Sequence, residues 1–238
     1  EVNRLVDAVY VLSVRSFTDR IAHIEAEMAR HRIEFEFVFD FDANAIPAAT
    51  IAAVFAPSDM RLAHQSLVLK HIETWRRCAA RNLRRVLVFE DDAVLARRFA
   101  AGLAEALGEA DRLAPGWMIY LGSGNNRHVG GRGSSALLPG GELPATDALV
   151  FDAEAARRRL GWIDAHRITR PADWLMREMD AAVGVRHWWL CRPLVEQGSM
   201  NGRFSSVLDE KRRLRGRWLN WARFRWDKWW KRLRQALR

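Results

Sequence analysis

Cysteine is nearly missing from this chain. The two that occur in 238 residues, Cys78 and Cys191, lie far apart without paired metal-ligand spacing, which excludes a disulfide framework and a zinc site and points to a reducing compartment. There is no apolar run of roughly 18 residues, so no segment is expected to span a bilayer. No secretory leader pattern is visible at the amino terminus, which starts at Glu1. Internal repeats are absent, excluding a solenoid. Gly122-Ser123-Gly124 is followed by Arg127 where a dinucleotide fingerprint needs its third glycine, so that motif is rejected. Acid is scarce at one end: residues 211–238 hold 12 Lys and Arg against the single Asp227. The chain carries 38 bases and 29 acids, leaving 26 against 28 over residues 1–210. A nearly neutral body argues against a nucleic-acid-binding face spread over the whole domain, and the basic character belongs to a tail.

What is present suits one large α/β domain or one domain with appendages. Hydrophobic residues make up 49%, ample for a sizeable core. Residues 8–14 form a β-branched run, followed by a helix with Ile21, Ile24 and Met28 on one face. Residues 34–41 read as a second strand ending near Asp40 and Asp42. After Pro57-Ser58 a long helix to about residue 81 keeps His64, Val68, Ile72, Trp75 and Ala79 at three-to-four spacing. A strand at 86–89, a helix over 97–113 and a strand at 117–121 follow, and this alternation predicts right-handed crossovers and a parallel sheet. Residues 122–141, with Asn125, Asn126, Arg127 and Arg132, show no periodicity and read as a long loop. Then come a strand at 148–151, a helix at 153–161, a helix opened by Pro171 and a tryptophan-rich strand at 185–190.

The most informative junction is Val86-Leu87-Val88-Phe89-Glu90-Asp91-Asp92. Four apolar residues look like a strand buried on both faces, and ligands of open α/β sheets collect beyond the carboxyl ends of such strands. On an extended backbone Glu90 and Asp92 point one way and Asp91 the other. Two carboxylates on one side suit a divalent cation whose shell a substrate's phosphates complete; the alternative is a solvated acidic turn capping the next helix.

The order of these pieces resembles bacterial family 25 glycosyltransferases, the lipopolysaccharide and lipooligosaccharide sugar transferases related to collagen galactosyltransferases. The resemblance rests on Val11-Leu12-Ser13-Val14-Arg15-Ser16 with Arg20, Leu62-Ala63-His64, Val88-Phe89-Glu90-Asp91-Asp92, Tyr120-Leu121-Gly122, Pro171-Ala172-Asp173-Trp174 and Val195-Glu196-Gln197-Gly198-Ser199, over about residues 8–200. It implies a GT-A-like α/β fold: a Rossmann-like nucleotide-sugar-binding half over residues 1–121 and a smaller acceptor-binding half over 122–210 of the same domain. It further implies an inverting, Mn2+- or Mg2+-assisted transfer of a hexose, galactose first, from a UDP-sugar to a lipooligosaccharide or related lipid-linked glycan.

Glu90 and Asp92 are then the expected metal ligands, with Asp91 directed to the ribose or supporting them. Arg15, Arg20 and Asp42 lie at or beyond the ends of the first two strands, where a uridine diphosphate would sit, and arginine's fork suits a diphosphate. Arg20 also reads as an exposed charge in the first turn of a helix. His64 gains a donor-site role from the resemblance, beside its reading as a buried, hydrogen-bonded histidine. By resemblance Asp173 takes the acceptor's proton, although after Pro171 it also sits where the helix dipole favours any acid. One departure stands out: Thr146-Asp147-Ala148-Leu149 replaces the family's Thr-His-Ala-Tyr, which bears on sugar specificity.

In the tail, five of eleven tryptophans lie between residues 218 and 230. Leu219, Ala222, Trp226, Trp229, Leu233 and Leu237 form a helical stripe among Arg223, Arg225, Lys228, Lys231 and Arg234. The pattern describes an interfacial helix on an anionic membrane, which would hold the protein peripherally at the inner face of the cell membrane. A helix packed on the body or on a partner is the second reading, and nucleic acid the third and least favoured. A rival from another class is a catalytically inactive membrane- or RNA-associated protein acting through this tail.

Overall fold

A computed structural model describes residues 1–122, 135–140, 145–204 and 216–236. The residues 123–134 and 141–144, which include Asn125, Asn126, Arg127 and Arg132 of the expected loop, lie outside the described residues, as do 205–215 and Leu237. The strands are β1 (Ala8–Leu12), β2 (Glu36–Val38), β3 (Arg85–Glu90), β4 (Ala93–Leu95), β5 (Trp117–Tyr120), β6 (Leu137–Pro139), β7 (Ala148–Asp152), β8 (Arg186–Leu190) and β9 (Val195–Gln197). The helices are α1 (Thr18–His31), α2 (Ala48–Val54), α3 (Leu62–Ala80), α4 (Phe99–Ala110), α5 (Ala153–Ala165), α6 (Ala172–Val183) and α7 (Arg217–Ala236).

Seven strands form one sheet in the order β2-β1-β3-β7-β5-β8-β6, while β4 and β9 make a separate antiparallel ribbon. Strand β3 is buried on both faces, as its unbroken apolar run predicts. Val9, Val11, Leu87 and Phe89 pack on one side against Ile24 and Met28 of α1 and Phe99 and Leu103 of α4. Tyr10, Leu12, Val86 and Val88 pack on the other against Val68, Ile72 and Trp75 of α3 and Met176 of α6. This is the helix-covered, Rossmann-like α/β sheet expected from the alternation of elements.

The predicted parallel arrangement holds for the strands of that alternation, β1, β2, β3 and β5, and the later strands β7 and β6 are the exceptions. Strands β1, β2 and β3 are mutually parallel, as are β5 and β8, but β7 lies antiparallel between β3 and β5, and β6 is antiparallel to β8. The stretch between β5 and β7 has no helical periodicity, so the sequence offers no crossover helix to return the chain to the starting edge. Other boundaries shift as well. Residues 137–139, read as loop, pair with β8. The second strand shortens to three residues, α3 begins at Leu62, and the Ala-rich α2, none of whose residues is buried, was not anticipated.

The tail forms the expected helix, α7, and meets the body by one narrow face. Asn220 and Phe224 are buried, and Lys228 forms an ion pair with Glu196 of β9. Among the described residues, no helix is long and apolar enough to cross a membrane.

Candidate functional site

A cleft of about 460 Å³ opens at the carboxyl ends of β1, β2 and β3, with Arg15, Arg20, Asp42, Lys70, Glu90 and Asp91 among the residues lining it. Parallel pairing aligns Leu12 with Glu90, so the residues that follow β1 and β3 emerge side by side. The hydroxyl of Ser13 donates to Asp91 Oδ2 at 2.7 Å, and Arg20 Nη1 donates to Asp91 Oδ1 at 2.9 Å. Arg20 also stands 4.0 Å from Asp92 Oδ2, with its side chain 15% exposed. It is therefore a partly buried ion-pair partner of the acidic cluster, and the exposed first-turn reading is corrected. Burial works against its charge, but Asp92 and Asp91 outweigh that and hold its pKa above the ordinary value.

The three acids do not share one environment. Asp91 is pushed up by burial, against the pull of Arg20. Glu90 is pushed up to about 8 by burial and by Asp92, although its Oε1 accepts from Thr146 Oγ1 at 2.6 Å and its Oε2 from Gln197 Nε2 at 3.3 Å. Asp92 is almost wholly enclosed; Oδ2 accepts from the Ser199 amide at 2.9 Å, and Oδ1 is buried with no partner. The solvated-turn alternative for the triplet is thus corrected, because Asp91 and Asp92 are both buried.

Two glycines make this packing possible. A Cβ on Gly198 would stand 2.7 Å from the Asp92 carbonyl oxygen, the acceptor of the Gly198 amide, so the β4–β9 ribbon closes on Asp92 only without a side chain there. A Cβ on Gly122 would meet Tyr120 Oη at 2.5 Å and Asp147 Oδ2 at 2.6 Å. That space belongs to a buried pair in which Tyr120 donates to Asp147 Oδ1 at 2.5 Å. Asp147, pushed up to about 7 by burial, also accepts the Glu90 amide on its carbonyl. Asp147 therefore sits against the acidic cluster, its carboxyl filling the space that Gly122 leaves open.

On the opposite wall, Asp42 is fixed from two sides. The Arg15 amide donates to Oδ2 at 3.0 Å and Lys70 Nζ to Oδ1 at 2.8 Å, while Lys70 also donates to the Asp40 carbonyl at 2.6 Å. Burial lowers the Lys70 pKa, opposed by Asp42. The Arg15 guanidinium lies 4.5 Å from the centre of the Phe39 ring, exposed at the cleft.

The structure thus gathers Arg15, Arg20, Asp42, Glu90 and Asp91 around one cleft, with Asp92 enclosed behind Arg20. His64 and Asp173 are not among the cleft-lining residues. They neighbour each other: burial and Arg61, whose Nη2 is 3.3 Å from His64 Nε2, lower the imidazole pKa, and the Asp173 charge opposes them. His64 is half-buried, and Asp173 Oδ1 accepts the Trp174 amide at 3.0 Å in the first turn of α6. Sequence reasoning gave no role to Ser13, Lys70, Tyr120, Thr146 or Gln197. Their signal was faint: Ser13 and Thr146 flank strand ends, and Lys70 is a lone cation in the apolar stretch of α3.

Residues 6–129 match the family model described as glycosyltransferase family 25 (LPS biosynthesis protein). The chain is also 30% identical over 103 residues to the lipooligosaccharide biosynthesis protein lic2B of Haemophilus influenzae, an alignment covering 40% of this chain and 37% of that protein. The chain therefore spans little more than a third of that relative's length. Over half of the sequence lies inside the family model, and the acidic cluster with its cleft falls within the matched stretch; the chain belongs to glycosyltransferase family 25.

Proposed function

We propose that the protein is a glycosyltransferase that moves a hexose, galactose in the first instance, from a UDP-sugar to a lipooligosaccharide or related glycan with inversion. The observation that carries this reading is the strand-end cleft, where cationic Arg15 and Arg20 face a buried excess of carboxylates. Four acids, Glu90, Asp91, Asp92 and Asp147, crowd there, and Arg20 pairs with two of them, Asp91 and Asp92. Among the described residues no three acid, His or Cys side chains form a ready-made metal cage. Mg2+ or Mn2+ would not need one, since these ions take one or two carboxylates and complete their shell with phosphate and water. The unpartnered Asp92 Oδ1 and the suppressed ionisation of Glu90 mark those two as the side chains that would hold the ion. When bound, the cation would neutralise charge on the departing diphosphate as a Lewis acid.

The chain's own groups supply the rest. Arg20 already serves Asp91, so Arg15, stacked on Phe39 and open to the cleft, is the better fork for the diphosphate. Asp42, locked by Lys70 and the Arg15 amide, presents a fixed acceptor for the nucleoside. Asp173, beside His64, takes the proton of the acceptor hydroxyl as its oxygen bonds to the anomeric carbon and the carbon–phosphate-oxygen bond breaks, releasing UDP. The outward tryptophans of α7 would hold the protein peripherally at the inner face of the membrane, where a lipid-linked acceptor lies. Calorimetric titration with UDP-galactose tests the core of this reading. Affinity should rise with Mn2+, and Asp92→Asn should weaken the metal-dependent part by at least about tenfold. Absence of nucleotide affinity with or without metal would favour the inactive, tail-acting alternative.

A further inference from the structure

Three residues of the stripe that the sequence marks as apolar on α7, Leu219, Trp226 and Trp229, face away from the body with Trp230 beside them, while Ala222 and Leu233 are half-buried. Leu219, Trp226, Trp229 and Trp230 are 52%, 62%, 53% and 41% exposed. The buried side is instead Asn220, Phe224 and Lys228, each four residues from the next. At about 100° per residue the outward arc lies roughly opposite this inward one. Arg223 and Arg225 flank the outward arc on its two sides, and Arg225 also lies over the Trp221 ring. An apolar arc of tryptophans bordered by guanidinium groups complements an anionic lipid surface.

The inward face holds something specific. Lys228 grips Glu196 of β9, and the residues that follow Glu196 reach the acidic cluster: Gln197 to Glu90, Ser199 to Asp92 Oδ2, and the Gly198 amide to the Asp92 carbonyl. The same ribbon thus touches α7 on one side and the donor cleft's carboxylates on the other. We propose that α7 is a mount: its tryptophan face seats on an anionic bilayer while Lys228 stays paired with Glu196 of the β4–β9 ribbon and Asn220 and Phe224 stay buried, so that the lipid surface holds the cleft in one orientation. This rests on the reading of the chain as a transferase for a lipid-linked glycan, and it adds that the tail aims the site as well as attaching the protein.

The test uses the whole chain and vesicles of phosphatidylglycerol and phosphatidylcholine in equal parts. Replacing Trp226, Trp229 and Trp230 by Ala should lower vesicle partitioning by about tenfold or more, with weak binding to pure phosphatidylcholine throughout. Unchanged partitioning, or tighter retention on single-stranded RNA than on the anionic vesicles at the same salt, would overturn the proposal. For the clamp, a dye is attached through Ala52→Cys, on an exposed position of α2, the two native cysteines being buried. Time-resolved energy transfer to a labelled lipid should give one narrow distance distribution. Phe224→Ala with Lys228→Ala should leave vesicle binding intact and broaden that distribution, and the surface change Glu196→Lys, which repels Lys228, should do the same without touching the buried ring. A broad distribution in the unaltered clamp, or a narrow one in both variants, would overturn the mount. Nucleotide titration on the same samples separates the two readings. A failed transferase reading shows as lost UDP-sugar affinity with vesicle results unchanged, and a failed mount as the reverse.

Discussion

Asp147 is buried beside the acidic cluster, and its surroundings give its carboxyl a measurable consequence. A carboxyl raised to about 7 in the folded state, against roughly 3.9 unfolded, keeps its proton while the unfolded chain loses it. Its contribution therefore declines as pH rises from about 4 to 7 and is level beyond. In protein freed of divalent ions, Asp147→Asn, which still accepts from Tyr120, should gain stability relative to the parent across that window, by a few kcal/mol at about 1.4 kcal/mol per unit. Urea unfolding at pH 5 and pH 8 measures it, and a constant difference between the two would remove Asp147 as the source. Gly198 is the second telling residue. With backbone oxygen 2.7 Å from where a Cβ would stand, Gly198→Ala forces the ribbon off Asp92 at a cost of about 1–3 kcal/mol. Denaturant midpoint and nucleotide affinity should fall together; a drop in stability alone would separate the ribbon from the site.

Among the elements, the reversed strand β7 does the most to build the site. Because it runs antiparallel to β3, the residues before its first position, Thr146 and Asp147, arrive at the carboxyl end of β3 beside Glu90. A parallel strand there would carry them to the opposite edge. At its far end Asp152 joins three elements, accepting from the Ala155 amide at 2.8 Å as the cap of α5 and from the Gly116 amide at 2.7 Å at the start of β5. Asp152→Ala loses the cap and strands a buried amide, for about 2–4 kcal/mol by thermal unfolding. A loss no larger than that of an ordinary exposed cap would mean that the β5 contact adds nothing. The short β4–β9 ribbon was invisible in the sequence, since three-residue strands carry too little pattern to register. Gln197-Gly198-Ser199 could be picked out there as a motif, but not as the backing of Asp92.

For the molecule as a whole, charge and core are distributed separately. The tail holds 12 of the 38 basic residues and, among its described residues, buries few side chains, Phe224 chief among them, while both faces of the sheet are covered by helices belonging to the body. Removing residues 211–238 should leave a folded body with its thermal midpoint lowered by about 4–10 °C, and should abolish retention on a cation exchanger at neutral pH. Loss of cooperative unfolding would show instead that α7 belongs to the core.

Local pattern determined much of this protein by itself: the β3 strand with its acidic end, the helices of α1 and α3, the amphipathic tail and the family. Each is a property of neighbouring residues, set by a periodicity of two or of about 3.6 or by an unbroken apolar run. Tertiary structure alone decided that β7 turns back, that Asp147, Thr146 and Ser199 close around Glu90 and Asp92, that Lys70 fixes Asp42, and which face of α7 meets the body. Those contacts join residues 28 to 107 positions apart. Strand direction and long-range partner choice depend on which arrangement buries the shared core and satisfies the backbone together, and no local window of sequence contains that competition.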